Sequence, residues 1–112
     1  MNNWNISFYS VRVEKETLSF PDGILADFIR IAEMIEKHGP NLGKPHTDSL
    51  GNKLFEIRAK AKEGIGRSIF CYAIEQTNEI VILHSFVKKT QKTPKKDMEV
   101  ALKRKKELEN GN

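Results

Sequence analysis

The sequence predicts a small α+β domain in which an antiparallel sheet packs against two helices. Residues 22–38 place apolar side chains at helical spacing, residues 54–87 hold three strand-like segments, and residues 94–108 carry a second helical pattern. A first strand over residues 6–13 completes the order strand, helix, long loop, three-strand meander, helix. We therefore expect residues 1–112 to form a single domain.

The first two predicted elements are a strand and a helix. Residues 6–13 alternate between two faces, and a polar run then ends the pattern. The apolar stripe of the helix consists of Ile24, Leu25, Phe28, Ile31, Ala32 and Ile35. Asp22 or Ser19 could cap its first N–H groups, and the His-Gly-Pro sequence at residues 38–40 ends it. Residues 39–53 are rich in Gly, Pro, Asn, Asp and Ser and predict a long loop.

A meander of three strands follows. The strands are predicted at residues 54–60, 67–75 and 80–87, with turns at 62–66 and 76–79. In the first strand, Phe55, Ile57 and Ala59 face the core. The third strand is almost continuously apolar, which favours a central position in the sheet, and His84 interrupts it.

The final helix is predicted from its start signal and a short apolar stripe. Thr93 is the expected N-cap and Pro94 lies in the first turn. The stripe consists of Met98, Ala101, Leu102 and Leu108.

Composition excludes several classes of protein. The chain has 112 residues, of which 38% are hydrophobic and 30% charged, a balance typical of a soluble globular protein. No apolar run is long enough for a transmembrane helix, and the N-terminus lacks the pattern of a signal peptide, so we expect a cytoplasmic protein. One cysteine cannot build an intrachain disulfide or a cysteine-based zinc cluster.

Positive charge is concentrated in the C-terminal half. The net charge is +4, with a balance of −2 over residues 1–52 and +6 over residues 53–112. Residues 84–96 contain five lysines and no acidic residue. Such a field favours a polyanion such as RNA or DNA, although a solvated basic loop would have the same composition.

Several familiar chemical sites are absent from the sequence. It contains no Gly-rich phosphate loop and no nucleophile elbow. His38, His46, His84 and Cys71 fall on different elements without metal-ligand spacing, so no metal site is predicted. Cys71 is expected to be a buried thiol on a strand.

The remaining candidates are cationic. Arg58 and Arg67 flank one hairpin, so antiparallel pairing should bring them together, where they repel unless an anion lies between them. Each guanidinium offers a fixed fork of donors that suits a phosphate. Alternatively, each could pair with a nearby carboxylate, Glu56 or Glu63. The phosphate-binding lysines are expected to be Lys88, Lys89 and Lys92, with Lys53 as a further candidate.

Two residues on the third meander strand complete the candidate site. His84 has a side chain suited to proton transfer near neutrality, or it could be a satisfied core residue. Phe86 points the same way and could stack on an RNA base, or it could belong to the core.

Three segments resemble the phage-derived, HigB-like branch of the RelE/ParE toxins. The branch typically shows a Leu-aromatic-Glu-Leu-Arg strand, an Arg-x-x-Phe strand and a Leu-His-x-Phe-x-Lys-Lys-Thr-x-Lys-Thr-Pro segment. Residues 54–58, 67–70 and 83–94 match these motifs, and the loop at residues 39–50 is also similar. The resemblance covers roughly residues 4–108, and its last motif is the most specific.

The resemblance implies a RelE-like domain and a toxin of a type II toxin–antitoxin pair. Members of the wider family are mostly metal-independent mRNA endoribonucleases, many of them acting at the ribosome, and no cofactor is implied. An antitoxin with a helix-turn-helix domain would neutralise the toxin and carry the contact with operator DNA. The family often places a catalytic Tyr, His or Asp near its C-terminus. This chain has no Tyr after Tyr72 and no His after His84, which leaves His84 or a lysine for proton transfer.

The residues and the resemblance together favour one mechanism, with two alternatives. Arg58 and Arg67 would hold the scissile phosphate, His84 would transfer a proton, and Phe86 with the lysines would bind flanking RNA. The alternatives are a ParE-like inhibitor of DNA gyrase and a nucleic-acid-binding protein that does not cleave its ligand. An enzyme requires the two arginines to converge on one site, whereas a gyrase inhibitor does not.

Overall fold

A computed structural model of the chain describes residues 3–74, 77–88 and 92–111. It contains five strands and three helices: β1 (Asn5–Phe8), α1 (Val11–Leu18), α2 (Asp22–His38), β2 (Thr47–Gly51), β3 (Leu54–Ala61), β4 (Gly64–Tyr72), β5 (Glu79–Lys88) and α3 (Lys95–Glu109). The predicted α+β class is therefore confirmed. Within the described residues, none of the helices has the length and apolarity needed to cross a membrane.

The five strands form one mixed sheet in the order β1-β5-β4-β3-β2. The predicted meander is confirmed as β3, β4 and β5, which pair antiparallel. The expectation of a wholly antiparallel sheet was wrong, because β1 pairs parallel with β5. A helical crossover between β1 and the meander permits this parallel pairing. β5 lies between β1 and β4, as its apolar sequence predicted.

Two elements depart from the sequence prediction. The strand expected over residues 6–13 ends at Phe8, and α1 begins at Val11, because Ser10 accepts a hydrogen bond from the Val13 backbone N–H and caps a helix there. Part of the loop expected over residues 39–53 forms the edge strand β2, which pairs with β3. Helix α1 combines this local cap with burial of Val13 and Thr17, whereas β2 depends on pairing with a neighbouring strand, which is not encoded locally.

Helix α2 matches its predicted bounds, but its N-terminus is not capped as expected. Pro21 occupies the N-cap position without a side-chain hydrogen bond, so neither Asp22 nor Ser19 fills that role. Instead, Glu63 reaches over from the β3–β4 turn and accepts a hydrogen bond from the Gly23 backbone N–H at 3.3 Å. A carboxylate is favoured at this end of a helix. At the other end Gly39 has a φ of 89°, the left-handed region that stops a helix.

The sheet separates two apolar layers. The layer under α1 and α2 includes Phe20, Ile24, Phe28, Ile31, Ile35, Ile57, Phe70 and Ile82. The layer under α3 includes Leu54, Ile69, Cys71, Val81, Leu83 and Ala101. Gly66 allows Ile24 of α2 to pack directly against β4, because a Cβ at residue 66 would lie 2.5 Å from Ile24 Cγ2.

Helix α3 covers the second layer with few apolar residues and several polar contacts. Ala101 is its buried residue, and Arg104 donates to the Leu83 carbonyl at 2.6 Å. Thr93 was predicted as its N-cap, but Pro94 holds that position. The Thr93 hydroxyl is bound elsewhere, to a carboxylate on the sheet.

Candidate active site on the α3 face of the sheet

Cross-strand pairing arranges the candidate residues in three parallel rows. The rows are Glu56–Ile69–His84, Arg58–Arg67–Phe86 and Lys60–Ile65–Lys88, each running from β3 through β4 to β5. Side chains at alternate positions share a face, and Ile69 and Phe86 identify that face as the one on which α3 packs. The predicted convergence of the two arginines is confirmed, because Arg58 and Arg67 are direct cross-strand partners.

A bulge brings His84 onto the same face. The β4–β5 register shifts between Ile69 and Phe70, so that Ile69 pairs with His84 and Phe70 pairs with Ile82. Leu83 is the extra residue and packs in the α3 layer beside His84. Without this extra residue, period-two alternation from Ile82 would have turned His84 toward α1 and α2.

Glu56 and Arg67 form an enclosed ion pair. The Arg67 side chain is 0% exposed and that of Glu56 is 3% exposed, and Arg67 Nη1 lies 3.2 Å from Glu56 Oε2. The Thr93 hydroxyl donates to Glu56 Oε1 at 2.9 Å and accepts from Arg67 Nη1 at 3.4 Å. A buried charge needs such partners, so the three side chains form one interdependent group.

The same carboxylate lies close to the second arginine. Arg58 Nε is 3.7 Å from Glu56 Oε2, and the Arg58 side chain is 19% exposed. Glu56 therefore offsets the repulsion between the directly opposed arginines. The alternative that a local carboxylate pairs with them is borne out for Glu56, whereas Glu63 instead lies at the N-terminus of α2.

His84 is held by α3 and by an aromatic neighbour. Its Nε2 lies 2.7 Å from Asp97 Oδ1 in the first turn of α3, and its ring stacks on Phe86 at a centroid distance of 5.3 Å. Nδ1 is buried and has no hydrogen-bond partner among the described residues. His84 is therefore oriented by Asp97, and Phe86 is partly buried beside it.

The predicted lysines are not all placed together. Lys88 and Lys92 are exposed near the end of β5 and before α3. Lys89 lies outside the described residues. Lys53 lies in the β2–β3 turn beside Phe55 and Tyr72, at the far end of β3 from Lys60. Lys53 is therefore not brought to the arginine pair.

The described part of the chain holds no group of His, Cys, Asp or Glu side chains that could bind a metal ion. Cys71 is buried on β4 as predicted, and burial raises the pKa of its thiol. The site therefore offers cations, a carboxylate, an imidazole and an aromatic ring as its chemical groups.

Three site residues were assigned no functional role from the sequence. The sequence predicted Glu56 only as a possible ion-pair partner of the arginines, and Thr93 only as the N-cap of the last helix. Asp97 was not singled out, although it follows the Thr-Pro helix start and so lies in the first turn of α3. Only the docking of α3 on the sheet brings Thr93 and Asp97 to residues 56 and 84.

Two comparisons find similar proteins. A profile of the phage-derived protein Gp49-like family matches residues 15–106. Two solved structures of the YoeB–YefM toxin–antitoxin complex from Staphylococcus aureus contain a chain with the same fold, at a TM-score of 0.53 and 15% identity over 80% of this chain and 98% of that chain. The predicted RelE/ParE-type fold is thereby confirmed, and the HigB-like branch stays a prediction. A comparison with curated protein sequences finds no match.

Proposed function

The chain belongs to the Gp49-like family of phage-derived proteins, and we propose that it is a type II toxin that cleaves mRNA without a metal ion. The fold it shares with a chain of a toxin–antitoxin complex supports the first part of this proposal. The observation that carries the second part is the convergence of two arginines with Glu56, with His84 on the same face.

RNA can be cleaved with its own 2′-OH as the nucleophile. The oxygen attacks the adjacent phosphorus, the 5′-oxygen leaves, and the transition state carries more negative charge than the substrate. A protein accelerates this step by holding the geometry, stabilising the added charge and moving two protons. The groups on the α3 face supply each of these functions.

The arginines divide the electrostatic role. Arg58 is partly exposed, and we assign it to the scissile phosphate. Arg67 was predicted to bind the same phosphate, but its side chain is completely enclosed. We therefore propose that Arg67 acts by holding Glu56 in place and by adding positive potential beneath the site.

Glu56 and His84 are placed to act on opposite sides of a phosphate. They lie on one face with Ile69 between them, about two strand spacings or ~10 Å apart. The entering and leaving oxygens of an in-line displacement also lie on opposite sides of phosphorus. Glu56 is only 3% exposed, so the 2′-OH would have to replace the Thr93 hydroxyl at Oε1 before Glu56 could accept its proton. His84 would protonate the 5′-oxygen.

The surrounding residues would bind the rest of the RNA. Phe86 would stack on a base, and Lys88, Lys89 and Lys92 would contact flanking phosphates. The ribosome would present the mRNA, and a helix-turn-helix antitoxin would cover this basic face and carry the operator contact. Lys53 would contribute only to RNA that extends to the far end of β3.

Induction of the protein in growing cells, followed by mapping of mRNA 5′ ends, tests the proposal. We expect new ends that carry 5′-OH groups, and we expect the purified protein to cleave RNA in EDTA. Glu56→Gln should abolish the new ends, whereas the matched control Glu33→Gln, at an exposed position of α2, should not. Growth arrest with intact mRNA and broken gyrase-bound DNA would overturn the proposal.

A further inference from the structure

We propose that a cleft at the outer edge of β3 binds a backbone phosphate of the RNA next to the cleavage site. The cleft has a volume of about 370 Å³, and Ile65 lines it together with the polar or loop residues Asp27, Arg30, Pro45, His46, Arg58 and Lys60. Its size falls within the range of small-ligand sites. The proposal rests on the proposed function for the identity of the ligand, and it gives the loop at residues 39–46 a role.

The cleft is built where β2 leaves the edge of the sheet. Pairing between β2 and β3 runs from the Leu54 end of β3 to Ile57. Beyond that point the exposed N–H groups of β3 find other acceptors: Arg58 donates to the His46 carbonyl at 2.9 Å, and Lys60 donates to Asp27 Oδ2 at 2.8 Å. These two bonds fix the loop and α2 against the strand edge, with an opening between them.

The loop wall is ordered by its own hydrogen bonds. The Gly43 carbonyl accepts from the backbone N–H groups of His46 and Thr47, both at 3.0 Å, and the Thr47 hydroxyl accepts from the Gly43 N–H at 2.9 Å. His46 is thereby held at the mouth of the cleft without a contribution from the ligand. A preformed wall lowers the entropy lost when a ligand binds.

The lining is positively charged. Arg30, Arg58 and Lys60 contribute three cations, and Asp27 is the one carboxylate among the lining residues. Both oxygens of Asp27 are engaged, Oδ1 by Arg30 Nε and Nη2 and Oδ2 by the Lys60 N–H. Burial acts to raise the pKa of Asp27, but these bonds outweigh it and hold the pKa below its usual value. The fixed net charge of +2 favours an anion.

Arg58 connects the cleft to the candidate active site. Its guanidinium lies 3.7 Å from Glu56 on the α3 face, and its side chain also lines the cleft. An RNA strand whose scissile phosphate lies at Arg58 would place a neighbouring phosphate at the strand edge, between Arg30 and His46. A phosphate accepts hydrogen bonds from both side-chain types.

Amide chemical shifts of ¹⁵N-labelled protein would test this assignment. The probes are inorganic phosphate and an RNA trinucleotide with 2′-O-methyl groups, which lacks the nucleophile and cannot be cleaved. We expect the amides of His46, Arg58 and Lys60 to shift with both probes. Arg30→Gln removes one charged contact with the phosphate, so it should weaken trinucleotide binding about tenfold. The matched control is Arg12→Gln, which removes an exposed helix arginine that also has a carboxylate neighbour, Glu16, and it should bind as the wild type does.

The outcomes separate the cleft from the nuclease activity. Shifts at the cleft that depend on Arg30, in a protein that does not cut unmodified RNA, would support the phosphate cleft and contradict the proposed nuclease. RNA cleavage with unmoved cleft amides would overturn the cleft alone. Equal weakening by Arg30→Gln and Arg12→Gln would also overturn it. The cleft amides could also shift on addition of an antitoxin but with neither phosphate probe. That result would indicate that this surface contacts a protein, and it would overturn the assignment.

Discussion

The guanidinium of Arg67 is sealed against the carboxylate of Glu56, with Nη1 to Oε2 at 3.2 Å and neither side chain more than 3% exposed. The two residues lie on adjacent strands in diagonal register, since Glu56 is opposite Ile69 and Arg67 is opposite Arg58. Thr93 completes the enclosure from the segment before α3. Changes to this pair should therefore affect both the free energy of unfolding and the position of the Glu56 carboxylate.

Removal of Arg67 should destabilise the protein. Arg67→Met leaves the Glu56 carboxylate buried without its closer arginine. Of the two opposed arginines only Arg58 then remains, with its Nε 3.7 Å from Glu56 Oε2. Loss of one partner of a buried ion pair costs about 3–5 kcal/mol. We expect a decrease in the free energy of unfolding of this order, measured by urea denaturation followed by circular dichroism.

A double variant separates the charge effect from lost packing. Glu56→Gln combined with Arg67→Met removes both charges, so it should be more stable than Arg67→Met alone. If the double variant were destabilised by the sum of the two single changes, the pair would not be coupled, and the positioning role of Arg67 would fail.

Loss of His84 should slow cleavage without weakening RNA binding. A general acid contributes about 10²–10⁴ to the rate, so His84→Gln should lower kcat by this factor while the Kd for uncleavable RNA changes little. Asp97→Asn should produce a smaller loss, because the amide can still contact Nε2 but presents no negative charge. Single-turnover cleavage and anisotropy binding measure the two quantities separately.

The matched control for Asp97 is Asp22→Asn, which also alters a carboxylate in the first turn of a helix but lies on α2. Its cleavage rate should equal that of the wild type. A rate unchanged in His84→Gln would remove His84 from the mechanism and leave proton transfer to a lysine.

RNA affinity should depend on salt through the lysines at the end of β5 and before α3. Each phosphate contact on a single strand contributes a slope of about 0.7 to the fall of log K with log salt. Lys88→Gln with Lys92→Gln should therefore reduce the slope by ~1.4. The control, Lys15→Gln with Lys37→Gln, removes the same charge from exposed positions on α1 and α2, and its slope should match the wild type. A wild-type affinity insensitive to salt would argue against RNA as the ligand.

Two glycines that face different surroundings should respond differently to alanine. A Cβ at Gly66 would lie 2.5 Å from Ile24 and 3.2 Å from Phe20 in the packed core, so Gly66→Ala should lower stability by about 1–3 kcal/mol. A Cβ at Gly23 would lie 2.6 Å from Glu63 Oε1 and 3.1 Å from Ala61 Cβ, and the flexible Glu63 side chain can move aside with loss of its bond to the Gly23 N–H. Gly23→Ala should therefore cost much less, as measured by thermal unfolding. Equal losses of stability in the two variants would mean that Ile24 of α2 does not pack closely on Gly66 of β4.

Local pattern was sufficient for the elements with strong periodicity. The stripe from Ile24 to Ile35 predicted α2 correctly because a helix buries one face whatever its partner is. Alternation predicted β3, and pairing across a short hairpin then placed Arg58 opposite Arg67. The cationic half of the site followed from these two facts.

The remaining features depended on contacts between distant residues. An edge pairing with β3 made a strand of part of the polar loop. Glu63 caps a helix 40 positions away in sequence, and Thr93 binds Glu56 rather than its own helix. A carboxylate or a hydroxyl can form hydrogen bonds with many chemically similar groups, so spacing in the sequence does not show which of them it contacts.

The sequence by itself determined the α+β class, the central meander, the opposed arginines and the basic character of the C-terminal half. Only the tertiary structure decided that Arg67 is enclosed, that a bulge turns His84 toward Asp97, and that β3 has a cationic cleft at its edge. The physical reason is the range of the interactions. Periodicity and turn chemistry act over a few residues, whereas enclosure and charge pairing depend on which surfaces meet when α3, the loop and α2 pack on the sheet.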